Sequence, residues 1–278
     1  MSDSSIEGID EAGVASWFAA QIAGAVPPFR YELIAGGHSN LTFRVQDDNG
    51  NVYVLRRPPL GQVLATAHDM EREHRVVSAV GQTAVPVPAT LGVCEDVEVN
   101  GAPFYVMAYV EGAVLHSDIE AALITPKDRM NLSREVVEVL AELHSVEPDE
   151  IALGDLAKRE EYLSRQLRRW SRQWEQSKTR ELDTMEEVQR LLEQHMPTQI
   201  GSTIVHGDYR LGNMLVDSGS IRAVLDWELC TLGDPLADVG YLLNNWVDPD
   251  ETPAGSSVPT LAGGFATRDQ LLKWYERA

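Results

Sequence analysis

Three side chains that end in oxygen lie close together in the second half of the sequence. Asp208 and Asn213 sit in the run Ile204-Val205-His206-Gly207-Asp208-Tyr209-Arg210-Leu211-Gly212-Asn213-Met214-Leu215-Val216, and Asp226 sits in Val224-Leu225-Asp226-Trp227-Glu228. Two apolar stretches flank a polar loop that presents Asp208 and Asn213, and the second stretch of a hairpin delivers Asp226. Phosphoryl transfer needs such a set. One carboxylate must orient the attacking hydroxyl and take its proton, while hard oxygen ligands hold Mg2+ against nucleotide phosphates.

The elements that must position these residues fall into two halves. Strand-like segments at Tyr31–Ala35, Leu41–Gln46 and Val52–Arg57 are separated by turns at Gly36-Gly37-His38-Ser39-Asn40 and Asp47-Asp48-Asn49-Gly50-Asn51, and Asn-Gly between such runs signals a hairpin. A helix is expected over 66–80, then strands near Ala89–Cys94 and Pro103–Tyr109 with a turn at Asn100-Gly101. Beyond residue 112 the pattern becomes helical, at 127–146, 158–178 and 183–196. Short strands return at Thr203–Val205, Met214–Val216 and Ile221–Leu225, and helices at 235–246 and 268–277 follow. The fold expected is α+β with two lobes: a helical extension over 1–28 with a helix around Ala12–Ala23, a β-rich N-lobe over 29–111, and a mostly helical C-lobe over 112–278.

Composition narrows the partners. The 278 residues are 44% hydrophobic and 24% charged, which excludes a disordered chain. With 43 acidic against 23 basic residues the net charge is −20, which argues against nucleic acid. No apolar run reaches the ~18 residues of a membrane span, and the polar, acidic start MSDSSIEGIDEAG does not resemble a secretory signal. Only Cys94 and Cys230 occur, with no CxxC, which fits buried thiols in a reducing, cytoplasmic setting.

An Asp five residues before an Asn, with a second Asp 18 residues after the first, matches a kinase catalytic loop and its metal-binding Asp. HGDYRLGN with the later LDW resembles the aminoglycoside phosphotransferase family, whose members have the protein-kinase-like fold. GGHSNLTFRV, LRRPP and LDWELCTLGDPLAD further resemble the kinase-like domains fused to acyl-CoA dehydrogenases; the likeness runs from about residue 29 to 246. The resemblance implies ATP and Mg2+ as cofactors and a small-molecule hydroxyl as acceptor. It makes Asp208 the catalytic base, Asn213 and Asp226 the Mg2+ ligands, and Arg210 a neutraliser of charge on the transferred group. His206 resembles the kinase-loop His and is read as structural. Gly36 and Gly37, with Ser39 and Asn40, resemble the loop that covers the nucleotide; no Walker motif occurs, so a P-loop enzyme is excluded. Arg56 stands where the family usually carries a lysine for the α/β-phosphates, with Glu73 as its partner and Glu71 as the alternative. Ala108 and Val110 are expected to meet the adenine edge through their backbone, with Met107 behind. Asp234 is expected to cap the next helix, and Asp238 to brace the catalytic loop.

A basic stretch stands apart. Residues 158–180 carry a net charge of +5. Arg165, Arg168, Arg169 and Arg172 recur at helical spacing, opposite Leu163, Leu167, Trp170 and Trp174. The apolar stripe is expected to pack on the lobe. The arginine stripe is either a solvated face paired with Glu or a docking surface for an anionic acceptor such as a phosphorylated CoA tail. An aminoglycoside or other small-molecule kinase and a nucleotide-binding pseudokinase or scaffold stay open as alternatives. Relatives of the family continue beyond the last helix here, so the chain is expected to be a fragment or to complete its C-lobe as a homodimer.

Overall fold

The computed structural model describes residues 6–35, 40–61, 69–251 and 257–278. Strands β1 (Arg30–Ala35), β2 (Leu41–Gln46), β3 (Val52–Arg57), β4 (Thr90–Cys94) and β5 (Phe104–Ala108) form an antiparallel sheet in the order β1-β2-β3-β5-β4. β2 and β3 pair from Leu41 with Arg57 to Gln46 with Val52, closed by a turn in which Asp47 accepts the Asn51 N–H at 2.7 Å.

Strand alternation sorts the side chains onto two faces. Tyr53 and Leu55 of β3 and Phe104 and Val106 of β5 pack with Val14 and Phe18 of α1 (Glu11–Gln21). Their neighbours along each strand go the other way: Val54, Tyr105 and Met107 meet Met70 of α2 (Met70–Val80). Arg56 shares the face of Val54, so the pleat turns its guanidinium toward α2. α2 is amphipathic in two directions, because its Val76, Val77 and Val80 belong to the core of the other half.

That second core is built on α5 (Pro126–Ser145), capped by Thr125 with proline at its start. Its Leu132, Val136, Val137, Leu140 and Leu143 are at most 1% exposed, and their helical spacing makes one stripe. Burying each contributes about 1.5–3 kcal/mol. Against it lie β7 (Thr203–Val205), β8 (Met214–Asp217), β9 (Ser220–Val224), β10 (Thr231–Gly233) and α8 (Leu236–Asn244), with α9 (Arg268–Tyr275) packed on α5. β6 (Ala113–Val114) pairs with β8, and β7 with β10.

One element is additional to the expected ones and one expectation needs correction. Residues 97–100 form a short helix, α3, whose Glu98 N–H donates to the Asp96 carboxylate at 2.9 Å, before the turn at Gly101. The basic helix α6 (Tyr162–Ser177) starts four residues late, after Glu161 in a left-handed conformation, and only its Tyr162 is buried. The apolar stripe therefore does not sink into the lobe; Trp170 is 51% exposed. α6 packs on α7 (Asp183–Gln194), which has no buried residue, and touches the lobe through β10. α4 (Asp118–Ala122) completes the described helices. Among the described residues no helix is long and apolar enough to cross a membrane.

Candidate active site

The loop between β7 and β8 is held from three sides. Tyr209 points inward, fully buried, and its hydroxyl donates to the Val136 carbonyl of α5 at 2.8 Å. His206 is fully buried; its Nδ1 accepts the Asp208 N–H at 3.2 Å, so Nε2 carries the hydrogen and donates to the Leu225 carbonyl at 2.9 Å. Its ring lies 4.7 Å from that of Trp227. Asp238 accepts the His206 and Gly207 N–H groups at 2.6 and 2.8 Å, so it braces the loop by hydrogen bonds. Gly207 has φ +87, and a Cβ there would come 2.9 Å from the Leu229 carbonyl oxygen, so only glycine fits. The turn is thus locked before any substrate arrives.

What the lock presents is Asp208. Its Oδ2 accepts the Asn213 Nδ2–H at 2.6 Å, and its Oδ1 accepts Arg210 Nε–H at 3.1 Å. The Tyr241 hydroxyl lies near it: burial first and then Asp208 push the Tyr241 pKa up. Asn213 is 6% exposed and spends its amide nitrogen on Asp208, which leaves Oδ1 as its atom for a cation. Leu225 N–H donates to the Asn213 carbonyl at 2.8 Å, tying this loop to the strand end that bears Asp226.

Asp226 has φ 66 and ψ 63, a left-handed conformation that costs a non-glycine residue about 1–3 kcal/mol. Its Oδ1 accepts Arg56 Nη2–H at 2.5 Å. Arg56 Nε lies 3.1 Å from Glu73 Oε1. Glu73 is buried while Glu71 is exposed, so Glu73 is the carboxylate that meets Arg56. Burial works against the Arg56 charge, but Glu73, Tyr105 and Asp226 outweigh it and hold the guanidinium protonated. Burial pushes the Glu73 carboxyl up against the pull of Arg56, and Asp226 adds to the rise. Asn40 Nδ2 donates to Glu73 at 3.3 Å and to Glu228 at 3.2 Å. Gly36, Gly37 and Ser39 lie outside the described residues.

Two groups were missed in the sequence. Glu228 is raised to about 7, first by burial and then by Asp226, against the opposing pull of Arg56. Tyr241 reaches Asp208 from one turn beyond Asp238. The signals were there: Glu228 is two residues after Asp226, and Tyr241 is at i+3 from Asp238 on one helix face. Asp234 accepts the Leu236 N–H at 2.9 Å and the Ile200 N–H at 3.1 Å, so it caps α8 and also pins the chain before β7.

At the edge of the first sheet, Ala108 N–H is already given to the Ala89 carbonyl at 2.8 Å. Its own carbonyl and the half-buried Val110 are what remain for a base edge. Met107 is 8% exposed and packs on Met70, Val54 and Tyr105.

A cleft of about 1230 Å3 opens beside the loop. Glu73, Gly207, Glu228 and Tyr241 line one side, and Trp170, Arg169 and Arg172 of α6 line the other. Both stripes of α6 thus border the same cleft. Among the described residues Arg168 meets Glu161 at 3.8 Å, but no carboxylate lies within 4.0 Å of Arg169 or Arg172. Arg169 instead sits 5.7 Å from the Trp170 ring centre.

No group of three or more His, Cys, Asp and Glu among the described residues is arranged to hold a metal. Mg2+ does not need one: it keeps waters and phosphate oxygens and takes only one or two protein ligands. Asn213 Oδ1 and the Asp226 carboxylate, both hard oxygens, fit that habit.

Residues 30–273 match the model of the phosphotransferase enzyme family. Over 243 residues the chain is 36% identical to acyl-CoA dehydrogenase family member 10 of Mus musculus, covering 82% of this chain and 22% of that protein. It is 34% identical over 245 residues to acyl-CoA dehydrogenase family member 11 of Homo sapiens, covering 87% and 31%. The chain thus spans less than a third of the length of these relatives. A crystal structure of a candidate aminoglycoside phosphotransferase from Ralstonia eutropha superposes with a TM-score of 0.79 at 34% identity, over 97% of this chain and 80% of that one. The streptomycin–ATP ternary complex of APH(2'')-IIa superposes at 0.65 with 18% identity, over 98% and 83%, which shows a shared kinase-like fold.

Proposed function

The chain belongs to the phosphotransferase enzyme family, and from that premise we propose that it transfers the γ-phosphoryl group of Mg2+-bound ATP to a hydroxyl of an anionic small molecule, with a hydroxyacyl-CoA-like acceptor as the best fit. The observation that carries the anionic acceptor is the pair Arg169 and Arg172, without carboxylate partners among the described residues, beside Trp170 in the cleft that reaches Gly207. Guanidinium groups bind phosphate and carboxylate with two parallel hydrogen bonds, and an indole offers a flat apolar wall.

The roles follow from where each side chain is held. Asp208, fixed through Asn213 and the braced loop, orients the acceptor hydroxyl and takes its proton as that oxygen bonds to the γ-phosphorus and the bond to the β–γ bridging oxygen breaks. Arg210, already on Asp208, is near enough to neutralise charge on the transferred group. Arg56 binds the α/β-phosphates, and Glu73 orients it; Arg56 must then leave Asp226. Asn213 and Asp226 would hold the metal, which supplies charge neutralisation on the phosphates. Gly36, Gly37, Ser39 and Asn40 would cover the nucleotide, and the Ala108 carbonyl and Val110 N–H would meet its base. Most of the rate enhancement comes from positioning and electrostatics.

Glu73, Glu228 and Asp69 line the same cleft, and this acidic wall favours a second reading, a cationic acceptor such as an aminoglycoside. The two are separated by acceptor-dependent ADP release across hydroxyacyl-CoAs, aminoglycosides, choline and amino sugars. Turnover with the acyl-CoA set supports the first reading, and turnover with aminoglycosides alone overturns it. Bound nucleotide with no transfer to any of them would favour a scaffold.

A further inference from the structure

The brace on the catalytic loop does not end at Asp238. The Asp238 side chain is 1% exposed, and its two oxygens take the N–H groups of His206 and Gly207, the residues just before Asp208. Oδ2 also lies 3.3 Å from His144 Nε2, in the last turn of α5. His144 Nδ1 lies 2.7 Å from the Tyr275 hydroxyl, in the last turn of α9, and the two rings meet edge to face. A carboxylate can only accept, so Nε2 carries the imidazole hydrogen and Nδ1 takes the hydrogen of Tyr275. Thr203 at the start of β7 donates to the His144 carbonyl at 2.8 Å, which keeps the helix end beside the loop's own strand.

We propose that His144 and Tyr275 are positioning residues that couple the docking of α9 to the placement of Asp208. The carboxylate of Asp238 can hold two consecutive N–H groups only in one rotation. The His144 N–H selects that rotation, and Tyr275 fixes the imidazole that provides it. Loosening either lets the carboxylate turn, and the loop that presents Asp208 turns with it. The coupling runs through four contiguous hydrogen bonds, from the last helix to the turn next to the catalytic base. The claim rests on the role of Asp208 given above, but its structural half is measurable without turnover.

The test uses the full chain with His144→Ala, His144→Gln and Tyr275→Phe. Short bonds to a carboxylate move amide protons downfield, so the His206 and Gly207 amides are read in 15N–1H spectra, beside kcat and the nucleotide Kd. In His144→Ala both amides shift upfield, and kcat falls about tenfold at unchanged nucleotide Kd, the scale of a small misplacement of a catalytic group. His144→Gln, which keeps an N–H in reach of Asp238, restores both readings, and Tyr275→Phe gives an intermediate loss. Unmoved amides in folded His144→Ala and Tyr275→Phe overturn the proposal, as does a drop in kcat that His144→Gln fails to rescue. If His144→Ala does not fold, Tyr275→Phe decides. Shifted amides in a protein that transfers no phosphoryl group leave the relay standing and remove the assigned function instead.

Discussion

The hairpin that carries Asp208 and Asp226 faces one cleft with α6, which packs on α7, yet the hairpin and the helical pair are built in opposite ways. On the hairpin side, His206 and Asn213, with Asp238 of α8 bracing the loop, are buried polar groups, and each has its partner within hydrogen-bond reach. In α6–α7, only Tyr162 is buried, Trp170 is half open, and Met185, Val188, Leu191 and Leu192 are exposed. A group transfer that depends on placement within tenths of an ångström needs the first kind of construction. Recognition of an acceptor's far end tolerates the second, because long-range charge acts without a fixed rotamer.

Variants on the two sides should separate along that line. The largest effect is expected on the hairpin side: Asp226→Ala removes Mg2+-dependent ATP affinity, read as loss of binding heat in calorimetry. Unchanged heat would dissolve the contrast, because the rigid side would then not hold the metal. The helical side should respond in the acceptor alone. Arg169→Ala with Arg172→Ala raises KM for an anionic acceptor about tenfold, the scale of two partly exposed charge contacts, with ATP binding untouched. Because those guanidinium groups are exposed, the difference from the parent protein should shrink as salt is raised. An equal loss with cationic acceptors would contradict the assignment.

The smallest effect is a pH signature confined to the hairpin. Glu228 titrates near 7 in the folded protein because of burial and the Asp226 charge, above its ordinary value of about 4.5. The folded state therefore holds a proton that the unfolded chain releases. The stability this adds is complete below about 4.5 and is lost as pH rises through about 7. In metal-free buffer Glu228→Gln should lack that decline, so its Tm gains on the parent as pH rises across this window. Parallel Tm curves would place Glu228 outside the acidic cluster.

The same contrast decides what could be read in the sequence. β2 and β3 occupy the runs expected at Leu41–Gln46 and Val52–Arg57 because alternation and Asn49-Gly50 fix them locally, and α5 follows from a long apolar stripe with Thr125-Pro126 at its start. β6 and β10 have two and three residues, too few for any period to show, and they form because other strands offer hydrogen bonds. The meeting of Asp208 with Asn213, and of Arg56 with Glu73, was legible from motif order. The contact of Arg56 with Asp226 was not, since it joins residues of two lobes and appears only when both are folded. The apolar stripe of α6 was misread for a related reason. Leu163, Leu167, Trp170 and Trp174 have the period of a core helix, but periodicity does not say whether a lobe lies opposite, and here a cleft does.

The most direct test of the central claim is Asp208→Asn, measured for both Mg2+-ATP binding and acceptor-dependent ADP release. The account predicts an unchanged nucleotide Kd with kcat lowered at least ~10²-fold, the loss expected when a general base is removed. Full turnover by the Asp208→Asn protein would contradict it.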